Sequence, residues 1–95
     1  MFKPLDTVLH SELRLAVVSL LITVKEAEFG YLKEKTGATS GNLSVQIQKL
    51  SDAGYINIEK SFKGNYPLTT CKITKKGIKA FEDYVEAIKT YLDKK

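Results

Sequence analysis

Two glycines divide the middle of this chain and narrow what it can fold into. Gly37 closes one short apolar-periodic stretch, Phe29 to Thr36, and Gly54 closes a longer one, Thr39 to Ala53. Glycine takes the left-handed conformation at the end of a helix at little cost, so each reads as a helix stop. The short stretch carries Phe29 and Leu32 on one face. After the tight Gly37-Ala38 connection, Thr39 or Ser40 is placed to cap a helix whose Leu43, Ile47 and Leu50 recur at i, i+4 and i+7. Burying each of these should contribute about 1.5–3 kcal/mol. Two helices so joined form a helix-turn-helix.

The flanks complete the pattern. Upstream, Leu13, Ala16, Val17, Leu20, Leu21 and Val24 have helical spacing, and Leu15, Val18 and Ile22 add a second apolar face. A helix apolar nearly all round is central to a core or shared with a partner. Ser11 is expected to cap it, with Glu12 at the favourable end of the dipole. Lys25 to Glu28 reads as a short extended link. Downstream, Tyr55–Lys60 and Thr69–Thr74 alternate as strands around a turn-rich segment containing Gly64-Asn65 and Pro67. Thr74 then caps a last helix, residues 75–93, with Ile78, Phe81, Val85, Ile88 and Leu92 spaced 3, 4, 3 and 4 as a heptad seam. The expected architecture is mostly α with a small β-hairpin: a three-helix core, a two-stranded wing and a long C-terminal helix, in one domain over residues 1–95.

Charge separates the two parts of the chain. Residues 1–59 hold six basic and seven acidic side chains. Lys60, Lys63, Lys72, Lys75, Lys76 and Lys79 follow with no acid among them, and the chain as a whole is +4. A basic tract of this kind attracts polyanions. The outward face of the second helix of the pair offers Ser40, Gly41, Asn42, Val45, Gln46 and Lys49. Amides pair with adenine, Val meets a thymine methyl, and Lys reaches guanine or phosphate. The hairpin brings Lys60, Lys63, Asn65, Tyr66 and Lys72, suited to the phosphate backbone or the minor groove. These eleven residues are the candidate contacts to double-stranded DNA.

Other chemistry has little material. The chain has one histidine, His10, expected to serve as a structural hydrogen-bonding group, and one cysteine, Cys71, expected as an inward-facing apolar filler. No His/Cys spacing suggests zinc and no glycine-rich phosphate loop is present, so an enzyme and a cofactor are not expected. The single cysteine, the absence of a membrane-length apolar run and the N-terminal sequence point to the cytoplasm. The apolar last helix exceeds what a core of this size covers, so Ile78, Phe81, Val85, Ile88 and Leu92 are the expected homodimer interface.

One resemblance draws these readings together. Leu5-Asp6, His10-Ser11 and Arg14-Leu15, then Phe29 and Leu32, Ser40-Gly41-Asn42-Leu43-Ser44, Lys49-Leu50, Ala53-Gly54-Tyr55-Ile56, Lys60-Ser61-Phe62, Thr69-Thr70, Ile73-Thr74 and Gly77 resemble small winged-helix transcriptional regulators of the MarR and ArsR families. That resemblance implies a homodimer with the third helix in the major groove and the wing beside it. Val45 and Gln46 stand where those proteins often carry Arg or His, which implies a weaker or AT-leaning site. The competing reading is a winged helix that binds protein in place of DNA.

Overall fold

The computed structural model describes residues 1–92. Its elements follow the order α1 (Glu12–Val24), β1 (Glu26–Glu28), α2 (Phe29–Thr36), α3 (Ser40–Asp52), β2 (Ile56–Lys63), β3 (Tyr66–Ile73) and α4 (Lys75–Leu92). Residue 93, expected to end the last helix, lies outside the described residues.

The stretch 25–28, expected as a link, contains a strand. β1 pairs antiparallel with β3 through Glu26↔Lys72, Ala27↔Cys71 and Glu28↔Thr70, which gives a three-stranded sheet of order β1-β3-β2. Three residues with one apolar side chain between two glutamates carry too short a period to be read as a strand. Tertiary pairing, not local propensity, makes this element.

The wing is also longer and tighter than expected. β2 and β3 pair continuously from Ile56↔Ile73 to Lys63↔Tyr66, leaving Gly64-Asn65 as a two-residue turn. Gly64 has φ +64°. With positive φ at the first central residue, this is the pattern of a primed hairpin turn, whose twist matches the strands. Pro67, expected as a turn former, lies within β3 opposite Phe62. It is tolerated because β1 pairs with β3 only at residues 70–72, so at Pro67 the strand has a free edge.

Helices and sheet close over one core. Leu9, Val17, Val18, Leu21, Leu32, Leu43, Leu50, Ile56 and Cys71 are fully buried, with Ile47 and Tyr84 nearly so. The expected stripe of α3 is therefore the buried one. Leu9 is set by a turn in which the Asp6 carboxylate accepts from the Val8 and Leu9 N–H groups at 2.8 and 3.2 Å. Ser11 occupies the N-cap position of α1 but makes no side-chain capping bond. Instead the Arg14 Nε donates to the Val8 carbonyl at 2.6 Å and ties this turn to the helix. Thr39 does cap α3, accepting from the Asn42 N–H at 3.2 Å. His10 meets the Tyr84 hydroxyl at 3.0 Å and helps seat α4.

The inward face of α4 is offset from the heptad seam. Gly77, Tyr84 and Ala87 are its buried residues, with Ala80 partly buried against the core. Phe81 and Ile88 of the expected seam are also partly buried against that core, so the seam is shared between the home domain and the surface. Gly77 is the closest approach: a Cβ there would lie 2.2 Å from the Tyr55 carbonyl oxygen. Thr74 caps the helix, accepting from the Gly77 N–H at 3.0 Å while its hydroxyl lies 2.7 Å from the Gly54 carbonyl.

Two stability measurements check this account. Gly77→Ala should lower unfolding free energy by about 3 kcal/mol, because the clash is with backbone that cannot rotate away. Denaturant midpoints with unchanged slope would show it. Lys25 ends α1 at φ +71° and ψ −41°, a strained conformation for a side chain bearing a Cβ. Lys25→Gly should raise stability by roughly 0.5–1 kcal/mol, measured the same way.

Candidate nucleic-acid interface

The pleat decides which wing residues lie beside α3. Side chains paired across an antiparallel ladder share a face, and that face alternates along each strand. Ile56, Ile58, Lys60 and Phe62 of β2 therefore share the core-side face with Pro67, Thr69, Cys71 and Ile73 of β3. Asn57, Glu59, Ser61 and Lys63 share the opposite face with Tyr66, Leu68, Thr70 and Lys72. The wing residues expected to act together are thus divided between two faces.

Lys60 lies on the side of α3. It lines a groove of about 260 Å³ with Phe29, Ser44, Ile47, Gln48, Ile58 and Thr69. Ser44 and Gln48 are exposed, and Gln48 donates to Asp52 at 3.0 Å. Neither residue was among the expected contacts, yet the fold places both on the side of α3 that borders the base of the wing. Phe62 was likewise not among the expected contacts: it is 75% exposed near the tip, on the same face as Lys60. The sequence signal was present for two of the three, a Ser beside Leu43 and a large apolar residue, Phe62, inside a polar segment.

Lys63 and Asn65 are exposed at the wing tip, and Tyr66 is 78% exposed. Lys72 is placed differently. Its ammonium lies 3.1 Å from the Glu59 carboxylate on the opposite face, with Glu26 as its register partner in β1. The hydrogen bond and charge of Glu59, then the charge of Glu26, hold its proton more tightly than usual. Lys79 is likewise held by the Asp83 carboxylate at 2.9 Å, which raises its pKa. Lys76 lies over the Tyr55 ring, 5.9 Å from its centroid. The six lysines that are consecutive in charge along the sequence are therefore dispersed, and two have acidic partners.

On α3, Ser40, Gly41, Asn42, Val45 and Lys49 are exposed, Val45 by 52%. Gln46 is half-buried. Its side-chain oxygen accepts from the Arg14 guanidinium, and its Nε2 donates to the Asn42 Oδ1 at 3.0 Å. Arg14 thus belongs to this surface, although its sequence position is that of a polar break in an apolar helix.

The remaining candidates have structural roles. Cys71 is fully buried, and burial pushes its thiol up to about 11. A redox-responsive thiol needs exposure and a lowered pKa. Tyr55 donates to the Asp6 carboxylate, and burial together with that bond and charge raises its phenol to about 12. Among the described residues no group of His, Cys, Asp and Glu is arranged to hold a metal, and no helix is long and apolar enough to cross a membrane.

Both raised values have a consequence for stability. Between the ordinary pKa and the raised one, the unfolded state loses its proton while the folded state keeps it. The unfolded form then binds fewer protons, so stability falls as pH rises. The folded protein should lose stability across about pH 9–12, and Tyr55→Phe together with Cys71→Ala should flatten that decline in urea titrations at successive pH values.

The comparisons with known proteins agree with this geometry. Residues 13–92 match the family model described as a winged helix DNA-binding domain. An uncharacterised protein of Methanocaldococcus jannaschii is 37% identical over 81 residues, covering 85% of this chain and 88% of its own. Among solved structures, a transcriptional regulator homologue from Pyrococcus horikoshii superposes with a TM-score of 0.85 at 24% identity, over 93% of this chain and 87% of that one. A putative transcriptional regulator from Thermoplasma acidophilum gives a TM-score of 0.70 at 22% identity, over 90% and 87%. An ArsR family transcriptional regulator gives 0.65 at 22% identity, over 93% and 87%. This chain belongs to the winged helix DNA-binding domain family.

Proposed function

We propose that the protein is a cytoplasmic, sequence-specific transcriptional regulator that binds double-stranded DNA as a homodimer. The observation that carries this reading is the pairing of an exposed, small-residue face on α3 with a basic wing alongside it. α3 enters the major groove through Gly41, Asn42, Val45 and Lys49, with the free N–H groups around Ser40 directed to phosphate. Lys60, Lys63, Asn65 and Tyr66 follow the backbone or the minor groove, and the apolar ring of Phe62 is available to press against sugar or a base step. Gln46 supports this surface from its tethered position, and Lys72, held by Glu59, contributes little. The regulatory role is carried over from the structural relatives, which are named as transcriptional regulators.

The dimer rests on α4. Phe81, Val85 and Ile88 line a shallow apolar groove with Leu15 and Ser19 of α1, and Leu92 is 69% exposed beyond it. Ile78 is half-buried on the same helix. A two-fold axis along this face would repeat the surface and present two α3 helices to half-sites about 34 Å apart.

Salt tests the reading. Affinity for duplex DNA should fall at least roughly tenfold between 50 and 200 mM salt, from a slope of about −0.9 per neutralised phosphate. Lys60→Ala or Lys63→Ala should each weaken binding on every sequence and reduce the slope by about 1 per protomer, whereas Lys72→Ala should leave it unchanged. Salt-independent association, or no binding to duplex at low salt, would instead favour a winged helix that recognises protein.

A further inference from the structure

Arg14, Gln46 and Asn42 form one hydrogen-bonded chain with a direction. The Arg14 guanidinium is fixed from behind, since its Nε donates to the Val8 carbonyl at 2.6 Å. Its Nη1 donates to Gln46. Arginine has donors and no acceptor, so Gln46 must turn its carbonyl oxygen toward it. That leaves the Gln46 Nε2 facing Asn42, which meets it with Oδ1 at 3.0 Å. The Asn42 backbone is held as well, its N–H donating to Thr39. Asn42 is exposed, and its free end is the Nδ2 amino group, with two donors.

We propose that Arg14, a residue of α1 and not of the recognition helix, sets the base preference of α3 by fixing which end of the Asn42 amide faces DNA. The proposal rests on the DNA-binding reading above. An amide that reads adenine in the usual bidentate way accepts from the adenine amino group while donating to N7. Here both amide oxygens are directed into the chain of bonds. Asn42 is left to donate, and its best partner in the major groove is guanine, whose N7 and O6 both accept. Gln46, half-buried and engaged at both ends of its amide, does not read the bases itself. Arg14 is thus a positioning residue that acts through two side chains. The adenine preference that Asn and Gln on this helix would otherwise suggest is replaced by guanine at the Asn42 position.

Selection from a random duplex pool, followed by affinity measurements on single-base variants of the selected site, tests this. The wild-type protein should favour guanine about tenfold at one position per half-site, and Asn42→Ala should abolish that preference. Arg14→Met should reduce it to about twofold, because both amides are then free to turn over, and Arg14→Lys should largely restore it. Gln46→Glu retains an acceptor for Arg14 but cannot donate. Asn42 must then offer Nδ2 to the new carboxylate and Oδ1 to the DNA, moving the preference to adenine or cytosine. Melting temperatures establish that each variant is folded; should Arg14→Met fail to fold, Arg14→Lys and Gln46→Glu carry the test. The proposal is overturned if Arg14→Met keeps the wild-type preference or Gln46→Glu leaves guanine favoured. It is equally overturned if the preference of the Gln46→Glu variant survives the addition of Asn42→Ala, since the introduced carboxylate would then be the reader. A wild-type protein that selects no sequence removes the DNA-binding reading itself.

Discussion

The hydroxyl of Thr74 joins the parts of this fold that must stay in register. Its proton is shared between the Gly54 and Tyr55 carbonyls, at 2.7 and 3.0 Å, and its oxygen accepts from the Gly77 N–H. The Thr74 N–H also donates to the Tyr55 carbonyl, at 3.1 Å. One residue therefore closes the end of α3, the start of β2 and the first turn of α4. The contact requires α4 to touch the Tyr55 backbone, and Gly77 allows it by having no Cβ. Asp6 extends the same junction from the other side, binding the Tyr55 hydroxyl while ordering the turn that seats Leu9. The orientation of α3 relative to the sheet follows from this knot more than from the helix-turn-helix connection alone.

The sheet then sorts the charges. A basic tract read along the chain is a single patch only if its side chains emerge on one face. Strand alternation sends Lys60 toward α3 and Lys72 to the back, where Glu59 and Glu26 surround it. Exposed pairs of this kind contribute little to stability. Their effect is to neutralise Lys72 at the back of the sheet while Lys60 and Lys63, with no ion pair among the described residues, stay next to the helix that carries the polar face.

The architecture was legible because it is written in features that survive any environment: glycines that stop helices, the Leu43, Ile47 and Leu50 stripe, and the caps at Thr39 and Thr74. The buried side chains of α3 and the position of Cys71 followed directly. What escaped were features decided by partners distant in sequence. β1 exists because Cys71 and its neighbours are there to pair with, and three residues bear no period of their own. Ser11 has the right chemistry for a cap, yet the Asp6 turn and Arg14 anchor that end of α1 in its place. On the candidate surface, helical spacing located the exposed face of α3. It did not show that Gln46 is tethered across 32 residues to Arg14, nor that a period-two strand would separate Lys60 from Lys63. Ser44, Gln48 and Phe62 entered only once the wing was placed against α3.

The free edge at Pro67 has one more consequence. Beyond residue 70, toward the tip, β3 is bonded to β2 alone and its side chains leave the core. From Ser61 to Pro67 every side chain is exposed. Length and composition there are therefore decoupled from the stability of the domain. Descendants of such a chain can vary the tip, gaining or losing a positive charge or an aromatic ring, without rebuilding the interior. The fold keeps its most variable segment where change costs it least, and the tip can drift by small steps while α3 and the core beneath it stay fixed.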